Sequence, residues 1–159
     1  MSINKHAYQA IEAVVGRNYI TDDPADCEGY RSGPGGYESG TGYERVMTKI
    51  AGAVVMPRTT EDVQKIVKIC GRFGVPFVPY STGFYGPRSH PHMEHELIID
   101  MKRMRDFEID EKHFFITVQP GVIYSQIQQE CFEKGAYVVI GGGGAQTSAV
   151  ANLLNDGWS

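Results

Sequence analysis

Between Ala51 and Gly86 an apolar run, an amphipathic run and a second apolar run follow one another with only short connections, and few folds accommodate that order. Ala51-Gly52-Ala53-Val54-Val55-Met56 reads as a short strand that stops at Pro57. Thr59 offers a helix N-cap, and Asp62 three positions on completes a capping box that also places negative charge at the helix start. Val63, Ile66, Val67 and Cys70 then recur at helical spacing and predict one apolar stripe. Gly74 closes the helix, and Val75 to Val78 forms the next strand. A strand, helix, strand unit of this kind is expected to cross over right-handed onto a parallel neighbour. The second strand runs straight into Pro79, Tyr80, Ser81, Thr82, Gly83, Phe84, Tyr85 and Gly86. Glycine lets backbone approach an anion closely and adopt positive φ, and the two hydroxyls add donors, so this stretch reads as a place where main chain meets a phosphate. Taken alone, the same residues also describe an ordinary strand-to-loop turn.

The rest of the chain supplies further elements. Ala7, Ala10, Ile11, Val14 and Val15 predict an N-terminal helix closed by Gly16. Residues 21–45 lack apolar periodicity and read as a long irregular arm, in which Tyr30, Tyr37 and Tyr43 are expected to pack locally. Leu97 to Met101 predicts a strand. Phe107 to Asp110 and Phe114 to Gln119, with a turn near Glu111 and Lys112, predict an antiparallel pair ended by Pro120-Gly121. Ile123, Ile127 and Cys131 mark a second helix that Gly135 closes. Tyr137 to Ile140 reads as a last strand feeding Gly141, Gly142, Gly143 and Gly144. Ordering four glycines costs conformational entropy, which favours close approach to a ligand over a flexible connection. The residue pattern by itself describes one α+β domain, a mixed sheet with helices to one side.

Composition excludes several functions. A formal charge of −4 and a pI near 5.7 argue against nucleic acid, which calls for a basic face. No apolar run is long enough to span a bilayer, no secretory h-region is visible, and Cys27, Cys70 and Cys131 show no C-x-x-C spacing, so a cytoplasmic location is expected. His90, His92 and His95 with Glu94 and Glu96 lie close together, but two nearby prolines and the lack of helical spacing give no preformed metal geometry, so a solvated loop is expected and no metal. Ser81 has no nucleophile elbow around it. Asp100 and Asp110 read as strand-end residues, Cys70 and Cys131 as core packing, and Tyr137 and Trp158 as packing groups. No residue carries a catalytic pattern.

The ordered motifs Met56-Pro57-Arg58-Thr59-Thr60-Glu61-Asp62-Val63, Gly74-Val75-Pro76, Pro79-Tyr80-Ser81-Thr82-Gly83, Leu97-Ile98-Ile99-Asp100-Met101 and Val118-Gln119-Pro120-Gly121-Val122 resemble the FAD-binding domain of the vanillyl-alcohol oxidase and p-cresol methylhydroxylase superfamily. The resemblance covers roughly residues 50–159, with residues 1–49 as an N-terminal helix and irregular arm. It implies a PCMH-type α+β fold of two subdomains with FAD extended between them, the first present here and the second begun. It implies that Pro79, Tyr80, Ser81, Thr82 and Gly83 wrap the pyrophosphate, with Phe84, Tyr85 and Gly86 beside them, and that Pro120, Gly121 and Val122 lie near the adenine. Gly141 to Gly144, Ser148 and Asn152 then fall along the ribityl chain and flavin edge. Members close to p-cresol methylhydroxylase have a longer stretch before the Tyr-Gly pair that Tyr85-Gly86 would match. The substrate cap has no counterpart in these residues, and the second subdomain is incomplete at the C-terminus. The resemblance therefore implies an FAD-dependent oxidoreductase subunit acting on an alcohol or para-alkylphenol-like small molecule, whose site a second protein chain or homo-oligomer completes. A degenerate copy, or a structural or regulatory subunit that keeps the fold without the flavin, is the alternative.

Overall fold

The computed structural model describes residues 2–31, 49–83, 90–140 and 144–155. They divide into two compact units, residues 1–103 and 104–159.

In the first unit, helix α1 (Lys5–Val15) starts at Asn4, whose Oδ1 accepts from His6 N and Ala7 N, and ends at Gly16 with φ +87°. Strand β1 (Ile20–Thr21) and a five-residue helix α2 (Pro24–Glu28) follow, where an irregular arm was expected. Strand β2 (Ala53–Val55) leads to helix α3 (Thr60–Phe73). The capping box forms as expected, with Asp62 N donating to Thr59 Oγ1 and Thr59 N donating to Asp62 Oδ2. Gly74, at φ +64°, closes the helix in the left-handed conformation that glycine adopts without strain. Of the predicted stripe, Ile66 and Cys70 are fully buried, whereas Val67 is 38% exposed.

Strand β3 (Phe77–Tyr80) begins two residues later than its apolar run, and takes in Pro79. The sheet order β1-β2-β4-β3 explains how: β3 is an edge strand, where a proline breaks no ladder on its open side. Strand β4 (Leu97–Asp100) lies between β2 and β3 and pairs parallel with both, so the strand, helix, strand unit does not place its own two strands side by side. β4 is buried along its whole length, as a central parallel strand must be. Its pleat separates two cores. Ala53, Val55, Leu97 and Ile99 face Ala7, Ile11, Ile66 and Cys70 on one side; Val54, Ile98 and Tyr80 face Cys27 and Tyr30 on the other. The sheet is thus covered on both faces rather than one.

The second unit is built on the hairpin of β5 (Phe107–Asp110) and β6 (Phe115–Val118), paired Phe107↔Val118 and Ile109↔Ile116. Neither strand pairs with the first sheet. Helix α4 (Tyr124–Glu133) begins where Gln126 Oε1 reaches back to accept Ile123 N, and helix α5 (Ala149–Asn155) follows. Val122, Tyr124, Ile127, Cys131 and Ala149 form the core beneath the hairpin. Residues 137–140 are not a strand. Tyr137 is 69% exposed, and no ladder partner lies beside this run among the described residues, so local strand preference is not realised.

Candidate functional site

Strands β3 and β4 end together, with Tyr80 and Asp100 in register, and the Ser81-Thr82-Gly83 turn leaves the carboxyl end of this parallel sheet. Open parallel sheets bind ligands at that end. Gly83 has φ +66°, and a Cβ built on it would lie 1.9 Å from Tyr80 Oη and 2.3 Å from its Cζ. The turn therefore lies directly on the Tyr80 ring, which is 2% exposed. Pro79 is exposed, and Ser81 and Thr82 are half-buried. Phe84, Tyr85 and Gly86 lie outside the described residues.

Beneath the turn sits a polar cluster. Asp100 is completely buried, and Tyr30 Oη donates to its Oδ2 at 2.5 Å. Lys102 Nζ stands 3.3 Å from the same oxygen, and Lys102 N donates to Oδ1 at 2.9 Å. The ammonium also lies 5.2 Å from the centre of the Tyr30 ring and 4.9 Å from that of Tyr80. The two rings meet edge to face at 4.9 Å. Burial first, and the Asp100 charge second, push the Tyr80 phenol up to about 12. Burial raises Tyr30 further still, assisted by its bond to Asp100, so both phenols stay protonated near neutral pH. Sequence reasoning treated Tyr30 as a locally packed arm residue and Asp100 as a strand terminus. The signal available was the position of Asp100 at the end of an otherwise apolar central strand, because a buried carboxylate requires partners.

In the second unit the structure brings Pro120, Val122, Ser148 and Asn152 together. Gly121 N donates to Met104 O, and Ala149 N donates to Val122 O. Ser148 Oγ donates to Pro120 O at 2.7 Å and accepts from Ala151 N, and Asn152 Nδ2 donates to Tyr124 Oη at 3.2 Å. Thr147, which sequence reasoning missed, donates to Gly144 O. Gly144 has φ +81° and open space around it, and Gly141 to Gly143 lie outside the described residues. An open cleft of about 540 Å³ in this unit is walled by apolar groups including Ile116, Ile127, Tyr137, Val139 and Leu153.

The histidine-rich segment is divided among separate tasks. Buried His90 bonds through Nδ1 to Tyr30 O at 2.7 Å, His95 Nδ1 reaches Ser2 O, and Glu96 Oε2 accepts from His92 N and Met93 N. Among the described residues no group of three or more His, Cys, Asp or Glu is placed to share a metal ion, and no helix is long and apolar enough to cross a membrane.

The sequence pattern that defines the FAD binding domain family matches residues 51–159. The chain belongs to that family. It is 30% identical over 105 residues, 65% of its length, to the glycolate oxidase subunit GlcD of Bacillus subtilis. Over 108 residues, 62% of its length, it is 30% identical to the 4-cresol dehydrogenase (hydroxylating) flavoprotein subunit of Pseudomonas putida. The fold superposes on substrate-bound p-cresol methylhydroxylase with a TM-score of 0.78 and 22% identity, covering 96% of this chain and 30% of that one. These likenesses place the fold in the vanillyl-alcohol oxidase and p-cresol methylhydroxylase superfamily. The chain spans 22% of the first of these relatives and 20% of the second. FAD is the family's cofactor. In the first unit the turn presents a glycine and two hydroxyl residues at the carboxyl end of parallel strands, a donor set whose chemistry suits an anion such as a diphosphate.

Proposed function

We propose that this chain is the FAD-binding part of a flavin-dependent oxidoreductase that oxidises an alcohol or a para-alkylphenol-like small molecule. Bound FAD would accept the hydride from the substrate carbon, and the protein would contribute binding, orientation and electrostatics. The observation that carries the reading is the Ser81-Thr82-Gly83 turn, held on the Tyr80 ring at the carboxyl end of β3. Pro79 to Gly83 hold the diphosphate in this reading, with Phe84, Tyr85 and Gly86 continuing the loop. Main-chain amides of such a turn neutralise an anion without a lysine cluster, in keeping with the acidic chain. Pro120, Gly121 and Val122 serve the adenine side, and Gly141 to Gly144 the flavin end. Ser148 and Asn152 support that end from within, because their polar groups engage Pro120 O and Tyr124 Oη.

The named relatives motivate the substrate class, since one acts on glycolate and another on 4-cresol. A second polypeptide, or a second copy of the chain, completes the site. That the cresol relative is a flavoprotein subunit supports this, as do the exposed Phe114, Phe115 and Tyr137 of the second unit. Three buried free thiols accord with the cytoplasm. The test is the visible spectrum of the protein purified natively with whatever chain accompanies it. Flavin bands at a stoichiometry near one are expected. A colourless preparation that also ignores added FAD would refute the reading.

A further inference from the structure

We propose that Tyr30 is a positioning residue for the cofactor turn: from the segment after α2 it reaches the buried Asp100 and, through the Tyr80 ring, holds Ser81-Thr82-Gly83 in place. The inference rests on the diphosphate role given to that turn above.

Three contacts make the connection. Gly83 lies against Tyr80 so closely that no Cβ fits between them, so the height of the turn over the sheet is set by where the Tyr80 ring lies. The Tyr80 ring meets Tyr30 edge to face at 4.9 Å. Tyr30 is itself held at both ends: its hydroxyl donates to Asp100 Oδ2, and its carbonyl oxygen is bonded by the buried His90 ring. Asp100 is the register partner of Tyr80, and its carboxylate also gathers Lys102, whose ammonium covers both tyrosine rings. Tyr30, 70 positions from Asp100 in sequence, thus joins the wall against which the turn rests. A carboxylate that is completely buried keeps such a partner in a single orientation, because releasing the hydroxyl would strand its lone pair away from water.

Removing only the Tyr30 hydroxyl isolates this role. Tyr30→Phe keeps the ring but frees it to pivot about its main chain. Tyr8→Phe is the control, since it removes a tyrosine hydroxyl that bonds Ile20 O elsewhere in the same unit. Nuclear magnetic resonance of the isotopically labelled full chain without FAD is the first measurement. Gly83 lies against Tyr80, so the ring current displaces its α-proton resonances in the native protein, and that displacement is expected to shrink in Tyr30→Phe. The β4 amide resonances of Leu97 to Ile99 stay in place, and Tyr8→Phe alters neither. Movement of the β4 resonances to the same degree would show a general disturbance of the unit and overturn the proposal, as would Gly83 resonances undisplaced in the native chain or unaffected by Tyr30→Phe.

FAD titration is the second measurement. Tyr30→Phe is expected to weaken FAD by about tenfold on its own, and to add nothing when Gly83→Ala has already displaced the turn. Full additivity of the two changes would overturn the proposal. A Gly83 displacement that shrinks as expected, in a native chain that binds no FAD, would uphold the role of Tyr30 and refute the cofactor reading instead.

Discussion

Gly83→Ala is the substitution whose cost can be worked most directly from the structure. At φ +66° any L side chain is strained, by roughly 1–2 kcal/mol. The new methyl group would also sit 1.9 Å from Tyr80 Oη, 2.3 Å from Cζ and 2.7 Å from Cε2, whereas ordinary contact begins at 3.4 Å. The turn and the ring must therefore separate by about 1.5 Å. Tyr80 cannot swing away at low cost, because Tyr30, Val54, Cys27 and Ile98 pack around it. Overpacking of that kind costs about 1–3 kcal/mol, which brings the sum to roughly 2–5 kcal/mol. Gly74→Ala is the built-in comparison: φ there is +64°, with nothing within 4 Å of the new Cβ, so it carries the conformational cost alone. Differential scanning calorimetry of both variants, paired with FAD titration, separates the two contributions. Gly83→Ala is expected to melt lower than Gly74→Ala by several degrees, since 1 kcal/mol moves a domain of this size by about 3–6 °C. FAD affinity should fall at least a hundredfold for Gly83→Ala and stay within about threefold for Gly74→Ala, if the strain displaces the turn as the clash requires. Equal melting temperatures and equal affinities for the two variants would refute the idea that the turn lies on the Tyr80 ring.

Other outcomes follow from the same geometry. Thr59→Ala removes the side-chain half of the capping box on α3 and should lower stability by about 1 kcal/mol, read as a shift of the urea midpoint with an unchanged slope. Alkaline titration should destabilise the fold: Tyr80 and Tyr30 hold their protons more tightly when folded, so the unfolded chain binds fewer protons above the ordinary phenol value of 10. Stability from Tyr80 is complete below pH 10 and is lost as pH rises through about 12, and a denaturation midpoint that is flat across that window would contradict the burial. Cys27 and Cys70 are raised to about 11 by burial, so a thiol reagent at pH 8 should label neither until denaturant is added, which mass spectrometry of the modified chain would show.

The elements legible beforehand are those encoded by neighbours in sequence. The capping box of Thr59 and Asp62, the stop at Gly74, the turn between Phe107 and Val118 and the face of Ile127 and Cys131 each depend on residues within a few positions of one another. The candidate turn was legible for the same reason, since small residues directly follow a strand. Tyr137 to Ile140 shows the limit. Four apolar, strand-favouring residues form no strand without a neighbour to bond, and whether one is present is not a local property. Tyr30 shows it again: nothing within its own segment indicates that its hydroxyl would meet Asp100.

Composition, apolar periodicity and punctuation by glycine and proline settle the α+β class and the elements built from close neighbours in sequence, because each reflects the conformational preferences of short segments. Long-range closure decides the remainder. Which strand lies between β2 and β3, which tyrosine supports the turn and which polar side chains are taken up internally depend on the one arrangement that buries both faces of β4 and partners Asp100 at once. Those two requirements join residues as far apart as Tyr30 and Asp100, a separation over which no spacing rule operates.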